Sequence, residues 1–200
     1  MGSKERIHRL KENTKVNIIN AAHEIVKEEG WQALSMRKIA EKIEYTAPMI
    51  YEYYANKEGI LLELTKKGYL LLGEKMREAR DKYDTPEEQL DAIWLAYWNF
   101  AFEEKEYYQL MFGLGMPCCD IDKCIPEKAE FRNLVMEPIG SMIKAARKKN
   151  VDACLKYHTF WSVLHGLVSI KMLGSASALE TLNKLVLADA VSGFIKNLEN

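Results

Sequence analysis

The sequence predicts an all-α protein of about nine helices, three short ones in front and six mostly longer ones behind. Three observations lead there. Apolar residues recur at three- and four-residue spacing through nearly every segment. Clear strand-like alternation and hairpin dipeptides are missing, and Gly and Pro fall between the periodic stretches.

Taken in order, the first helix covers about residues 4–29, with Ile18, Ile19, Ala22, Ile25 and Val26 as its apolar stripe and Gly30 as its stop. Ser35 has the chemistry of an N-cap for a short helix over 36–43. Thr46 does the same for a helix over about 47–53, with Pro48 in the first turn, where a missing N–H costs nothing. A long helix follows over about 57–82. TPEEQ at 85–89 reads as a capping box, with Thr85 as cap, Pro86 first in the helix and Glu88 reaching back. That helix carries Leu90, Ile93, Trp94, Tyr97, Trp98 and Ala101 on one face. A short helix is expected around 104–112 and a loop over 113–125. The last three helices span about 126–149, 152–173 and 178–198, the first of them kinked at Pro138.

Composition narrows the function. With 48% hydrophobic and 28% charged residues, the chain is an ordinary globular one, and no apolar run reaches the roughly 20 residues that span a bilayer. The polar start MGSKERIHRLKEN has no apolar core, and four cysteines without regular spacing make no disulfide framework. A cytoplasmic protein without a membrane partner is expected. Residues 1–57 hold ten Lys/Arg against eight acids, and the remainder eighteen against twenty-one. A basic head on an acidic body hints at a polyanion partner for the head.

Residues 35–54 are laid out as helix, tight turn and capped short helix, the plan of a helix-turn-helix. The second helix of such a motif presents its N-terminal residues to base edges, and its free N–H groups favour phosphate. Four of the ten tyrosines crowd into YTAPMIYEYYANKE at 45–58. Their hydroxyls, with Lys57 at the start of the next helix, suit phosphates on either side of a groove.

The stretch GWQALSMRKIAEKIEYTAPMIYEYYANKEGILLEL resembles the DNA-binding domain of the TetR family of bacterial transcriptional repressors. The likeness covers about residues 13–64. It rests on the glycine closing helix 1, the Ser-hydrophobic-Arg start, the Ile-Ala pair, the Thr-x-x-x-hydrophobic-Tyr-x-Tyr-aromatic run and the Lys-Glu opening helix 4. The resemblance implies a DNA-binding domain at 1–56 and a helical effector-binding and dimerisation domain at 57–200. It implies that Ala47, Met49 and Tyr53 face the major groove of double-stranded DNA, that Ser35, Arg37, Thr46, Tyr51 and Lys57 hold phosphates, and that Tyr54 packs. Two departures stand out. The usual turn glycine is Glu44, which costs about 1 kcal/mol if the backbone is left-handed there. Residues 46–54 also contain no Lys or Arg, so bidentate arginine–guanine contacts are unavailable from this helix.

For the body, the resemblance implies a homodimer through the last two helices and a small-molecule effector. WSVLHG at 161–166 resembles the Trp-x-x-x-His-Gly signature of one subclass. Trp94, Trp98, Phe102, Tyr108, Met111, Phe112, His158, Trp161 and His165 are candidates for an apolar effector pocket, although a stripe of this kind is also what a plain core looks like. Cys118, Cys119 and Cys124, with Cys154 and His158, raise a metal or oxidant sensor, but their spacing is no zinc pattern, and the segment reads as a loop with incidental cysteines. No cofactor and no metal is expected. A helical metalloenzyme would need Glu-x-x-His pairs on two inward helices, and the single pair, Glu5–His8, lies in the N-terminal arm. The expectation is a ligand-responsive repressor that is not an enzyme. The rival is a TetR-like interaction module that has lost DNA binding.

Overall fold

The computed structural model describes residues 2–113, 125–147, 151–173 and 180–199. Among them are nine α-helices, one 3-10 turn and no strand. The helices are α1 (Ser3–Glu29), α2 (Met36–Lys42), α3 (Ala47–Tyr51), α4 (Lys57–Arg80), α5 (Pro86–Glu103), α6 (Lys105–Phe112), α7 (Glu127–Ala145), α8 (Ala153–Leu173) and α9 (Glu180–Glu199), and the 3-10 turn is Trp31–Ala33. No described helix is long and apolar enough to cross a membrane. The expected cysteine loop, with Cys118, Cys119 and Cys124, lies outside the described residues.

The chain forms two compact units, one of Met1–Gly68 with Glu106–Pro117, the other of Tyr69–Lys105 with Cys118–Asn200. In the first, α1 buries Ile18, Ala22, Ile25 and Val26, as its stripe requires, while residues 4–13 stay exposed. Gly30 ends α1 at φ +83° and ψ 168°, a region open essentially to glycine alone, with its N–H returned to the Val26 carbonyl at 2.8 Å. In α6, Tyr107 stacks on His23 of α1, with ring centres 4.3 Å apart. Gly68 of α4 leaves room for Met111 of α6, whose Sδ would lie 2.7 Å from a Cβ placed there.

The second unit has an aromatic core. Trp94, Tyr97 and Phe100 of α5 are wholly buried. Trp94 meets Phe160 at 4.8 Å and Tyr97 meets Trp161 at 4.9 Å, spacings that favour tilted rings. Thr85 caps α5, but the capping box is only half made. Its hydroxyl accepts from the Glu88 N–H at 3.3 Å and donates to the Glu88 carboxylate at 2.7 Å, so that carboxylate is engaged by the hydroxyl it was expected to pass by. Pro138 is buried within α7, which continues through it.

Candidate nucleic-acid interface

The helix-turn-helix is built by local chemistry. Ser35 has extended backbone and its Oγ accepts from the Lys38 N–H at 3.2 Å, fixing the start of α2. The end of α2 is a Schellman closure: Tyr45 N–H donates to the Ala40 carbonyl at 2.9 Å and Glu44 N–H to the Glu41 carbonyl at 3.3 Å. That closure needs a left-handed residue, and Glu44 supplies it at φ +59°. The sequence's departure from glycine is therefore a strained position, at about 1 kcal/mol.

α3 follows after Thr46 and is shorter than the sequence suggests, five residues rather than seven. Beyond Tyr51 the chain tightens into a turn in which Tyr53 and Tyr54 N–H both donate to the Ile50 carbonyl at 3.0 Å. Thr46 occupies the cap position with extended backbone, yet its side chain makes no capping hydrogen bond. Ile50, wholly buried, is the one buried residue of α3.

Around that single anchor the other side chains are turned outward to different degrees. Thr46 and Tyr51 are exposed, Tyr51 by 53%, and Ala47, Met49 and Tyr53 are half-buried. Tyr54 is half-buried too, and its hydroxyl is pushed up to about 12, first by burial and then by the Glu63 and Glu12 carboxylates. Lys57 opens α4 and forms no ion pair among the described residues. Sequence reasoning passed over Asn56, whose Oδ1 accepts from the Gly59 N–H at 3.0 Å and so caps α4 behind Lys57. An Asn directly before Lys-Glu was the available signal.

The basic residues of α2 divide. Lys42 reaches Glu28 at 2.9 Å and Glu24 at 3.3 Å, and Lys38 pairs with Glu29, so both strap α2 to α1. Hydrogen bonding to Glu28 raises the Lys42 pKa. Arg37 instead pairs with Glu41 of its own helix at 2.8 Å, with its side chain 85% exposed, and that hydrogen bond raises its pKa. Exposed pairs of this kind contribute little net stability, so Arg37 can exchange its carboxylate for a phosphate at little cost.

The nine candidates for an effector pocket are divided between the two compact units. Tyr108, Met111 and Phe112 belong to the first unit, where Tyr108 packs on Phe112 at 4.8 Å. In the second, Trp98 and Phe102 lie 5.1 Å apart under the Lys171 ammonium, a cation–π cluster. Trp161 stacks with His165 at 6.2 Å, and burial lowers the His165 pKa. Trp94 is wholly buried with an indole N–H that meets no acceptor among the described residues. His158 is exposed and lines a cleft.

This arrangement matches known proteins at both ends. Residues 18–64 match the family model of bacterial regulatory proteins of the tetR family, and residues 90–189 match that of a tetracyclin repressor-like C-terminal domain, a stretch that includes Trp161–Gly166. The chain belongs to the TetR family, whose members are DNA-binding transcriptional regulators and not enzymes. Several solved structures share the fold, three of them as follows. FadR from Bacillus subtilis, in complex with stearoyl-CoA, is 23% identical over 90% of this chain and 98% of its own, with a TM-score of 0.72. FadR from Bacillus halodurans, a fatty acid degradation regulator, is 20% identical over 90% and 98%, at 0.68. RolR with resorcinol is 12% identical over 96% of each chain, at 0.69. No curated protein matches the sequence at a significant level.

Proposed function

We propose that this regulator is a cytoplasmic, ligand-responsive repressor that binds a palindromic operator as a homodimer and releases it when an effector occupies its C-terminal domain. Residues 1–56 read the DNA, and residues 57–200 bind the effector and dimerise. Ala47, Met49 and Tyr53 meet base edges in the major groove. Ser35, Arg37, Thr46, Tyr51 and Lys57 hold phosphates. With no base in α3, readout rests on methyl contacts, tyrosine hydroxyls and the exposed basic start of α1. The observation that carries this reading is the presentation of α3, held by one buried isoleucine and offering an exposed Tyr51 beside a Lys57 that has no ion pair among the described residues.

Two further observations favour the finer parts. Leu155, Val163 and Ile170 of α8 and Leu182, Leu185 and Val186 of α9 leave 39–70% of their surface exposed, an apolar face suited to a second copy. α6 packs with the DNA-reading helices through Tyr107 on His23 and Met111 on Gly68, which suits it to carry an effector's influence to them. The ligands found with structural relatives, stearoyl-CoA and resorcinol, differ in size and charge, so the effector here is left to the chain's own residues.

The test is selection of random duplex DNA on the purified protein, with a Tyr51→Ala, Lys57→Ala variant beside it. A two-fold site recovered by the native protein and lost by the variant is expected. Failure of both to enrich any site would favour an interaction module without DNA binding.

A further inference from the structure

We propose that the cleft between α7 and α8 is a binding site for a small amphipathic oxyanion, a carboxylate or a phosphate ester, whose charged end is held by Arg132 with Lys128 and His158. The cleft measures about 350 Å³, within the range of small-molecule sites, and lies wholly in the second unit. Beyond these three side chains it is lined by Asn133, by Ile125 and Ala129 as apolar surface, and by Tyr157.

Its charge comes from how α7 sorts its residues. Lys128 and Arg132 are four apart and share the side toward α8. Glu127 and Glu130 line a different cleft, with Tyr69 and Arg77 of α4, where Glu130 pairs with Arg77. Among the described residues, no carboxylate lines the α7–α8 cleft. The nearby Asp152 faces the start of α8, accepting from the Cys154 and Leu155 N–H groups at 2.8 and 3.3 Å.

Arg132 is exposed and has no carboxylate partner among the described residues. Arg77 is paired with Glu130 and Arg80 with Glu137 and Asp81 in the same unit. Arg132 instead donates from Nη2 to the Cys154 sulfur at 3.3 Å, a weak acceptor for a group with five N–H donors. An oxyanion can take two of those donors side by side, the arrangement guanidinium prefers. Tyr157 is buried and its hydroxyl is pushed up to about 12, chiefly by burial, so it stays protonated and can donate. Ala129, exposed at the cleft, gives the apolar end of a ligand a surface, and Ile125 is buried in the cleft wall.

Binding at this cleft is independent of whether the protein represses, and only its consequence rests on the ligand-responsive reading. The test is calorimetric titration of the full chain with octanoate, octyl phosphate and neutral octanol. Both anions should bind about tenfold or more tightly than octanol, and Arg132→Gln should remove that advantage while leaving octanol unchanged. Arg132→Lys should keep part of it, and an unchanged melting temperature shows that the variants fold. The stronger of the two anions names the ligand class. Anions that bind no better than octanol, or that bind Arg132→Gln as they bind the native chain, would overturn the proposal. Operator binding would be untouched by that failure, whereas failure of the DNA reading would leave the anion titrations intact, so the two fail separately.

Discussion

The helix-turn-helix domain buries none of its aromatic rings completely, whereas the body buries several. In the body, Trp94, Tyr97 and Phe100 are wholly inside, tiled against Phe160 and Trp161. Over residues 18–60 the wholly buried side chains are aliphatic, among them Ile18, Ile25, Ile39, Ile50 and Ile60 at 0–1% exposure, while Tyr45 and Tyr51 are 41% and 53% exposed. Large rings bury the most area, so Tyr45 and Tyr51, left mostly in solvent, add little to stability. Tyrosine content alone therefore says little. Where the core is already filled by isoleucines, outward tyrosines are available to a partner.

Core truncations should give the largest effects in both regions. Ile50→Ala removes the one buried side chain of α3, and Trp94→Ala opens the body's core. Losses of about 2–5 and about 3–5 kcal/mol respectively are expected in denaturant titrations. Tyr51→Ala should stay within about 0.5 kcal/mol of the native chain, because its ring is mostly in solvent. A Tyr51 variant as damaging to stability as Ile50→Ala would erase the contrast.

A smaller effect is expected at the contact of α4 with α6. Gly68→Ala places a Cβ against Met111 and within 3.3 Å of the Tyr107 Cβ, and overpacking of this kind costs about 1–3 kcal/mol. The methionine can yield, so the low end is expected, read as a fall in melting temperature. If this contact couples the body to the DNA-reading helices, the same variant also changes how strongly effector weakens operator binding.

The smallest effect has the opposite sign. Glu44→Gly relieves the left-handed position after α2 and should stabilise the protein by about 0.5–1 kcal/mol. A loss instead would mean that the Glu44 side chain, not the backbone, is what the turn depends on.

Features set by short-range chemistry were legible in the sequence. Gly30 stops α1, Ser35 caps α2 and Thr85 with Pro86 starts α5, because each depends on residues within one turn. The strain at Glu44 was legible as a condition and needed the backbone to settle it. The early end of α3 was not legible, since Glu52 and Tyr53 carry no breaker. The aromatic set left core and cavity open for a physical reason: both need the same apolar spacing on a helix. Trp94, Trp98 and Trp161 are found in ring packing, while His158 lines a cleft whose other members, Lys128 and Arg132, read along the chain as an ordinary solvated face. Only the placement of α8 beside them gives that face a meaning.

On this reading α3 and the start of α4 bind duplex DNA. The direct measurement is fluorescence anisotropy of the selected duplex, titrated with the native chain, Tyr51→Ala and Lys57→Ala at several salt concentrations. Removing a cationic side chain that neutralises one phosphate should weaken binding and lower the slope of log affinity against log salt by about 0.9 per protomer. Both variants are expected to bind about tenfold or more weakly, with the flatter slope for Lys57→Ala. Native affinity and slope in both variants would contradict the account.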